Sequence, residues 1–370
     1  MRKKAGIITF HFADNFGAVL QAYALLKVIR DVGCNVEIIN FVPAFLREPY
    51  NLFFNIRSSI YQKGLIATIK RLIIKILRFR HQIRRIKEFQ DFRDNFLVIC
   101  EKKYVNASQI RSDKPKYEYY ITGSDQVWNP DFFSKVGDTY FLDFAEEGSK
   151  KIAYAVSIAK DKVDDVYNEV YRRHLKDFDY ISVREKSAKT FLSNFTEKDI
   201  HVTLDPTLLL DKEEWLKIAA ESSIKEKYIL VYDLVKNPII VSLANKVAEE
   251  LNCKIVSYSN KKGYNKWYGS FGSLNPTKFL GLCSKAEFIV TSSFHGTVFA
   301  IIFNKPFFTI LHPTRGSRMI DLLNDLDLSD RIIKDINQLN IMKEIDFNKV
   351  NERLTELKSK SMDFLKTALS

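Results

Sequence analysis

The feature that most constrains the fold is an alternation of short apolar runs with segments of helical periodicity. Residues 5–10 form one apolar run, residues 18–32 repeat apolar side chains at helical spacing, and residues 36–41 form a second apolar run. Short apolar runs of this kind are typical of strands that are buried on both faces. A strand, a helix and a strand in close succession predict a βαβ unit, and hence a parallel sheet.

The same order of elements returns in the second half of the chain. Apolar runs at residues 228–232 and 254–258 flank a helical pattern at residues 239–251. A chain of 370 residues is also long for one core, since domains usually contain about 100–200 residues. We therefore predict two α/β domains, at residues 1–210 and 211–370.

Two segments between the clear elements have a weaker pattern. Residues 140–144 are aromatic and apolar, which predicts a further strand. Residues 259–275 are mostly polar, which predicts a loop.

Residue usage argues against several classes of protein. The four cysteines are far apart in the sequence, which fits neither a disulfide framework nor a zinc site and predicts free thiols in a reducing compartment. The short apolar run near the N-terminus has no small-residue cleavage site after it, so no signal peptide is predicted. No stretch reaches the roughly 20 apolar residues that span a bilayer. We therefore expect a cytoplasmic protein.

The positive charge of the chain is concentrated in one segment. Residues 56–96 contain eleven Lys/Arg residues and three acidic residues, in a chain with a net charge of +12. Helical periodicity over residues 70–96 gives this segment an apolar stripe and a basic face. It is either an interfacial helix that contacts anionic lipid at the inner face of the membrane, or an amphipathic helix that packs on the first domain as an insertion. We favour the second interpretation, and one basic helix without a known reading motif does not indicate nucleic-acid binding.

The most informative polar segment is Thr291 to Gly296, with the sequence Thr-Ser-Ser-Phe-His-Gly, between a predicted strand and a predicted helix. Parallel sheets bind ligands outside the carboxyl ends of their strands, and a helix N-terminus at that edge attracts anions. Ser292, Ser293 and Gly296 are therefore candidate ligand-binding residues. His295 is a candidate for proton transfer near neutral pH. The alternative is a serine N-cap beside a packed histidine.

Three arginines follow predicted strands at the same kind of position. Arg184 comes directly after the strand at residues 180–183, and Arg315 and Arg318 lie at the entrance of a predicted helix. A guanidinium group can hold a phosphate or a carboxylate through two parallel hydrogen bonds, so all three are candidate anion-binding residues. The alternatives are a surface salt bridge between Arg184 and Glu185, and a solvated basic turn around the other two arginines.

The segment Gly-Ser-Asp-Gln-Val-Trp also follows a predicted strand. Gly123 would let a ligand approach the backbone of Gly123 and Ser124 closely. Asp125 would accept a proton from a sugar hydroxyl, and Trp128 would pack on a sugar face. The alternative is a turn capped by the aspartate.

Further polar residues lie in the first βα turn and after a later strand. Asp14 and Asn15 occupy the turn, and Asp205 ends the strand that precedes Pro206. We take all three aspartate and asparagine side chains as candidate site residues. The turn is not a dinucleotide fingerprint, and the chain has no phosphate loop, no nucleophile elbow and no zinc-protease motif. The histidines are scattered, so we predict no catalytic metal.

These segments together resemble the polysaccharide pyruvyl transferase family, because they occur in family order over roughly residues 5–330. The segments that carry the resemblance are Asp14–Gln21, Gly123–Trp128, Ser182–Glu185, Leu204–Leu209 and Ser292–Gly296. The resemblance implies two Rossmann-like domains that face each other across a cleft in the glycosyltransferase-B arrangement. It also implies transfer of an enolpyruvyl unit from phosphoenolpyruvate to a sugar, which forms a pyruvate ketal. Acceptors in the family are often lipid-linked precursors of cell-surface polysaccharides at the cytoplasmic face of the membrane.

The resemblance also implies roles for individual residues. His295 matches the family histidine that acts as general acid, and Arg184 matches the arginine that holds phosphoenolpyruvate. Asp125 or Asp14 would then serve as the base, with the acceptor on the first domain and the donor on the second. The better-known branch has an arginine two residues before the histidine, where this chain has Ser293. Arg315 or Arg318 would have to replace its charge, and the scheme uses no cofactor or metal.

Two other functions remain open at this point. A sugar-nucleotide glycosyltransferase of the same architecture would use Arg184 and Arg318 on a diphosphate. A non-catalytic partner protein would dock on membranes through residues 56–96, although such a scaffold has no need of polar motifs at four strand ends. The sequence leaves the acceptor sugar and the oligomeric state open.

Overall fold

A computed structural model describes residues 3–43, 65–160, 162–235, 237–258, 263–336 and 340–370, with the side chains of residues 65–79 excepted. Residues 56–64 of the basic segment therefore lie outside the described residues.

The first sheet has seven parallel strands in the order β3-β2-β1-β4-β5-β6-β7. Its central strands are buried, since helices cover both faces, and this burial explains their apolar runs. The strands are β1 (Lys4–Ile8), β2 (Asn35–Phe41), β3 (Ile99–Tyr104), β4 (Tyr119–Asp125), β5 (Lys150–Val156), β6 (Tyr180–Val183) and β7 (Ile200–Val202).

The second sheet has five parallel strands in the order β10-β9-β8-β11-β12. These strands are β8 (Tyr228–Tyr232), β9 (Lys254–Ser257), β10 (Trp267–Ser270), β11 (Phe288–Thr291) and β12 (Phe307–Thr309). Strand β10 lies within the segment that the sequence predicted to be a loop.

Twelve α-helices are present among the described residues, and most of them connect consecutive strands. They are α1 (Phe16–Asp31), α2 (Leu65–Phe96), α3 (Ala107–Ser112), α4 (Phe133–Val136), α5 (Asn168–Leu175), α6 (Lys186–Leu192), α7 (Lys212–Ile218), α8 (Pro238–Glu250), α9 (Pro276–Lys285), α10 (Phe294–Ile302), α11 (Ser317–Asp325) and α12 (Phe347–Ala368). Short 3₁₀ turns occupy Pro130–Phe132, Thr139–Phe141, Asp165–Tyr167, Pro206–Leu208 and Ser329–Arg331.

The predicted strand at residues 140–144 is wrong. The segment contains the 3₁₀ turn Thr139–Phe141, and Leu142 adopts a positive φ of 59° that ends it. Its aromatic side chains fill the core as a buried loop, so an apolar run here reflects burial rather than strand pairing.

Helix α1 fixes how the two sheets face each other. Asn15 caps it, because the side-chain oxygen accepts a hydrogen bond from the amide of Ala18 at 3.2 Å. The first helical residue, Phe16, stacks on Phe279 of the second sheet's helices with a ring separation of 4.4 Å and an angle of 7°. Phe16 also contacts the rings of Tyr232 and Phe271. The entrance of α1 is therefore anchored in an aromatic cluster of the second half of the chain.

The basic helix α2 also joins the two halves. The guanidinium of Arg85 donates hydrogen bonds to the carbonyl of Asp14 and to the hydroxyl of Tyr258, the latter at 2.6 Å. Its C-terminal part buries Phe89 and Phe92 in the core, which is how a plain amphipathic helix packs. In the described part of the chain, no helix combines the length and apolarity needed to cross a membrane.

The last helix, α12, returns to the first sheet. Phe364 contacts the rings of Tyr154 and Tyr180 at 6.2 and 6.3 Å, and the hydroxyl of Tyr119 donates a hydrogen bond to the carbonyl of Leu369. The chain end is thereby tied to the domain where the chain begins.

Each parallel sheet has a topological switch point near its centre. The strand order reverses between β1 and β4 in the first sheet and between β8 and β11 in the second. Such switch points leave a crevice at the carboxyl ends of the strands, where ligands of doubly wound sheets bind. The two crevices open into one cleft, which confirms the predicted pair of Rossmann-like domains in the glycosyltransferase-B arrangement.

Candidate active site

A cleft of about 390 Å³ lies between the two switch points. Its first-domain wall contains Phe10, Asn15 and Asp125, which follow or end β1 and β4. Its second-domain wall contains the segment from Ser292 to His295 after β11, together with residues of the loop before α11. The cleft therefore brings together segments that lie far apart in the sequence.

His295 enters the cleft from the first turn of α10. Ser293 caps this helix, because its hydroxyl accepts a hydrogen bond from the amide of Gly296 at 3.4 Å. The ring nitrogen Nε2 lies 3.4 Å from Oδ2 of Asp205 but has no hydrogen-bond partner among the described residues. The ring also rests on Gly17, where an added Cβ would lie only 2.1 Å from Nδ1. His295 is thus held between the two domains.

Arg184 and Asp205 form a buried ion pair next to this histidine. The guanidinium Nη1 lies 2.6 Å from Oδ2 of Asp205, and both side chains are almost fully buried. Burial by itself raises the pKa of Asp205, but the charges of Arg184 and His295 outweigh burial and hold that pKa well below its usual range. Arg184 does not pair with Glu185, whose carboxylate accepts hydrogen bonds from Ser157 and two backbone amides. The alternative interpretation, a surface salt bridge between Arg184 and Glu185, is therefore excluded.

Asp205 does not contact the cleft in the way the sequence predicted. Its side chain is fully buried, and its second oxygen accepts hydrogen bonds from the amide and the hydroxyl of Thr207. Asp205 is absent from the cleft lining, and its contacts with Arg184 and His295 hold both side chains in place.

Two arginines lie close to the ring of Phe294. The guanidinium carbons of Arg184 and Arg318 are each 5.2 Å from the centre of this ring. Nη1 of Arg318 and Nε and Nη2 of Arg184 are buried without a hydrogen-bond partner in the described residues. Buried donors of this kind normally have partners, so these N–H groups remain available to a ligand.

Phe294 and Arg318 line both the cleft and a neighbouring cavity of about 60 Å³, whereas Arg184 lines only that smaller cavity. Arg184 therefore lies one layer behind the cleft surface. Burial, followed by the repulsion of Arg184, lowers the pKa of Arg318 to about 10, which leaves it charged at neutral pH.

Asp125 occupies the opposite wall. One carboxylate oxygen accepts a hydrogen bond from the amide of Gln126 and lies 3.7 Å from Nη2 of Arg184. The backbone of Asp125 has a φ of 80°, in the left-handed region that costs a non-glycine residue about 1–3 kcal/mol. Strain of this kind is concentrated at functional sites.

Apart from Gln126, which lines the cleft, the rest of the segment that contains Asp125 belongs to the core. Trp128 is fully buried, stacks on Phe141 at 5.2 Å and donates its indole N–H to the carbonyl of Tyr140. The prediction that Trp128 packs on a sugar is therefore wrong. An added Cβ at Gly123 would lie 2.1 Å from the carbonyl oxygen of Tyr154, so this glycine permits close strand packing rather than the approach of a ligand.

Three further predicted ligand contacts are also internal. The hydroxyl of Ser124 is buried and donates to the carbonyl of Ala155. Gly296 is buried, and a Cβ there would lie 2.3 Å from the hydroxyl of Thr291. Asp14 does not line the cleft, and its carboxylate pairs with Arg93 at 3.0 Å. The prediction that Asp14 acts as a base is therefore wrong, and the residue instead anchors helix α2.

The remaining predicted residues line the cleft. Asn15 and Ser293 combine this position with their capping roles. The hydroxyl of Ser292 donates to the carboxylate of Asp233 at 2.8 Å. Arg315 is partly exposed, 3.9 Å from the carboxylate of Asp131 across the cleft mouth.

Sequence reasoning missed several uncharged residues of the cleft. Phe10, Phe132 and Gln126 line the first-domain wall, and His312 lines the opposite wall. Phe10 was predicted only as the end of a buried strand, although its position at a carboxyl end was the signal that could have identified it. Among the described residues, no group of three or more His, Cys, Asp or Glu side chains could hold a metal ion.

The fold and the cleft define a class of protein, namely an enzyme whose site lies between two Rossmann-like domains in the glycosyltransferase-B arrangement. The polysaccharide pyruvyl transferase family model matches residues 15–313. The chain therefore belongs to the polysaccharide pyruvyl transferase family and is a transferase.

Similar solved structures have low sequence identity. The MnaA protein of S. aureus, solved with UDP, is 13% identical with a TM-score of 0.48, over 99% of this chain and 91% of that one. A putative UDP-N-acetylglucosamine 2-epimerase from Listeria monocytogenes is 10% identical with a TM-score of 0.46, over 99% and 91%. The glycosyltransferase SnogD from Streptomyces nogalater is 12% identical with a TM-score of 0.44, over 100% and 98%. No curated protein matches the sequence significantly.

Proposed function

We propose that this protein transfers an enolpyruvyl unit from phosphoenolpyruvate to two hydroxyl groups of a sugar in a cell-surface polysaccharide or its lipid-linked precursor. The observation that supports it most directly is the set of unpartnered guanidinium N–H groups of Arg184 and Arg318 beside His295. Phosphoenolpyruvate carries a phosphate and a carboxylate on one small carbon frame. Two neighbouring arginines match two neighbouring anions, since each guanidinium can donate two parallel hydrogen bonds.

The donor would lie against the second-domain wall. Arg315 and Arg318 line the cleft together with Phe294, the first residue of the nine-residue helix α10, and a helix N-terminus attracts anions. Arg184 would reach the ligand when the ring of Phe294, which contacts its guanidinium, moves aside. In this arrangement Arg318 replaces the charge that Ser293 does not supply.

The reaction needs one acid and one base. His295 donates a proton to the CH₂ carbon of phosphoenolpyruvate, which becomes a methyl group and leaves a cationic centre at C2. One sugar hydroxyl adds to C2 and gives its proton to Asp125. The C2–O bond to phosphate then breaks, the second hydroxyl adds to C2, and its proton leaves with the phosphate. General acid–base help of this kind contributes about 10²–10⁴-fold.

Product analysis tests this proposal. The protein is incubated with phosphoenolpyruvate and a panel of methyl hexosides, and mass spectrometry follows the gain of one carboxyethylidene group while inorganic phosphate is measured. We expect equal amounts of the two products in the wild type and neither with His295→Gln. Release of a nucleoside diphosphate from UDP- or GDP-sugars, without any ketal, would instead establish the sugar-nucleotide glycosyltransferase.

Contact with the cytoplasmic face of the membrane is a separate proposal. Arg80, Arg84 and Lys87 form an exposed basic row on helix α2, which complements anionic lipid. Co-sedimentation with phosphatidylglycerol vesicles should fall when all three are changed to glutamate. Unchanged sedimentation would rule out this row as a lipid-binding surface.

A further inference from the structure

We infer that the first-domain wall of the cleft is a subsite for an uncharged sugar ring, with Phe10 and Phe132 as its apolar floor. The inference rests on the proposed function, because it names the class of acceptor for that same cleft. Trp128, the aromatic residue that the sequence predicted to pack on a sugar, is buried in the core, and Phe10 and Phe132 take that role in the inferred subsite.

The two rings are held in fixed positions. The ring of Phe10 meets that of Phe132 edge to face, at 5.3 Å and 86°, and that of Tyr140 at 5.1 Å and 90°. Both phenylalanines are only partly buried, so part of each ring faces the cleft. Apolar surface that is pinned in a cleft is prepared for a ligand with an apolar face, and the C–H face of a hexose is such a surface.

Polar groups surround these rings in the pattern that hydroxyl groups need. The side-chain oxygen of Gln126 accepts a hydrogen bond from Asn129, and that of Asn15 accepts one from the amide of Ala18. The NH₂ groups of these two side chains are therefore available as hydrogen-bond donors to a ligand. Asp125 supplies an acceptor beside them, so a hydroxyl can donate to the carboxylate and accept from an amide.

The charged residues that line the two walls of the cleft have opposite signs. Among the described residues that line the cleft, Asp125 is the only charged group of the first-domain wall, whereas Arg315 and Arg318 lie on the opposite wall. Arg184 lies 3.7 Å from the Asp125 carboxylate but does not line the cleft, so a sugar carboxylate on the first-domain wall would meet Asp125 first, and like charges repel. The wall should therefore favour neutral hexosides over uronic acids.

Saturation-transfer NMR on the full chain tests the subsite, with methyl glucoside and methyl glucuronide as probes. Phe10→Leu and Phe132→Leu keep an apolar side chain and should weaken binding of the glucoside about 2–10-fold. Phe96→Leu is the matched control, because Phe96 is also half-buried but contacts Tyr23 and Phe92 and does not line the cleft. Asp125→Asn should reduce the preference for the glucoside over the glucuronide.

The inference fails if the wild type binds neither glycoside, if both Leu variants bind the glucoside as the wild type does, or if the wild type prefers the glucuronide. The vinyl protons of phosphoenolpyruvate report donor binding in the same samples. Glucoside binding that depends on Phe10, without any phosphoenolpyruvate signal, would keep the subsite and overturn the proposed donor.

Discussion

The segments Gly123–Trp128 and Ser292–Gly296 look alike in the sequence but differ in how their polar groups are satisfied. Each lies at the carboxyl end of a buried parallel strand and has a short series of glycine, serine and ionisable residues, the first beginning inside β4 and the second directly after β11. In the first segment, Ser124 and Trp128 donate to carbonyls of the chain itself. Beside the second, donors on His295, Arg184 and Arg318 are buried without partners in the described residues.

The difference shows what marks a ligand site. A polar residue at a strand end has either a structural partner or a ligand, and only the fold reveals which. In Gly123–Trp128 only Asp125 and Gln126 line the cleft, and Asp125 is the non-glycine residue of the segment with a left-handed backbone. Each of the following changes tests this distinction.

The largest effect is expected for Asp205→Asn, which removes the countercharge of buried Arg184. Breaking a buried ion pair from one side costs about 3–5 kcal/mol of the free energy of unfolding, which urea denaturation at pH 7 measures. Because the folded pKa of Asp205 is depressed, its stabilisation is present above the unfolded pKa of about 4 and is lost as the pH falls through the folded pKa. The deficit of the variant should therefore shrink in acid.

Asp31→Asn is the control, since its pair with Lys27 on α1 is solvent-exposed. An exposed pair contributes about 0–1 kcal/mol. Equal destabilisation by the two variants would contradict a central role for Asp205.

Arg318→Ala should come next. Loss of a charge-assisted hydrogen bond costs about 1.5–3 kcal/mol, so phosphoenolpyruvate should stabilise the variant much less than the wild type in thermal shift. Arg111→Ala removes a surface arginine that pairs with Asp143 and should leave the ligand-induced shift unchanged. A full shift in the Arg318 variant would mean that the unpartnered guanidinium does not bind the donor.

Gly17→Ala places a methyl group against the ring of His295. The clash is with a side chain between domains, and overpacking of this kind costs about 1–3 kcal/mol. We expect a shifted histidine ring resonance in NMR and a reduced kcat with a similar KM for phosphoenolpyruvate. Gly269→Ala is the control, because a Cβ there has nothing within 4 Å. An unmoved resonance would show that Gly17 does not position His295.

Phe294→Leu should act in the opposite direction. The ring is attracted to both guanidinium groups, at about 0.5–2 kcal/mol each, and the donor must displace it to reach Arg184. Calorimetry should therefore show tighter binding of phosphoenolpyruvate in the variant. Weaker or equal binding would argue against a contact between Arg184 and the donor.

Trp128→Phe should have the smallest effect on the site. It loses the hydrogen bond to Tyr140 and destabilises the fold by about 1–3 kcal/mol, but the affinity for ligands should stay the same. Weaker binding of a sugar in this variant, at a temperature where it is folded, would restore Trp128 as a contact.

The sequence predicted the strands and helices that have clear periodicity, and the structure shows where that signal ends. The βαβ unit at the N-terminus was predicted because its strands are buried on both faces. The aromatic run at residues 140–144 was misread because a buried loop and a buried strand have the same composition. Strand β10 was missed because its four residues are half exposed or exposed and lie within a mostly polar segment.

Only part of the candidate site could be predicted from the sequence. Position at a strand end identified His295, Arg184, Arg318 and Asp125, since the topology brings all carboxyl ends to one edge. The ion pairs could not be predicted: the carboxylate of Asp205 pairs with Arg184, and that of Asp14 pairs with Arg93. These pairs join residues that are far apart in the sequence, and no local pattern records them.

The central claim is that Arg184 and Arg318 together bind the two anions of one donor. Isothermal titration calorimetry of the wild type with phosphoenolpyruvate, inorganic phosphate and pyruvate tests it most directly. The account predicts that phosphoenolpyruvate binds at least about tenfold more tightly than either fragment, because each anion contributes its own charge-assisted hydrogen bonds. Binding of phosphoenolpyruvate no tighter than that of phosphate alone would contradict it.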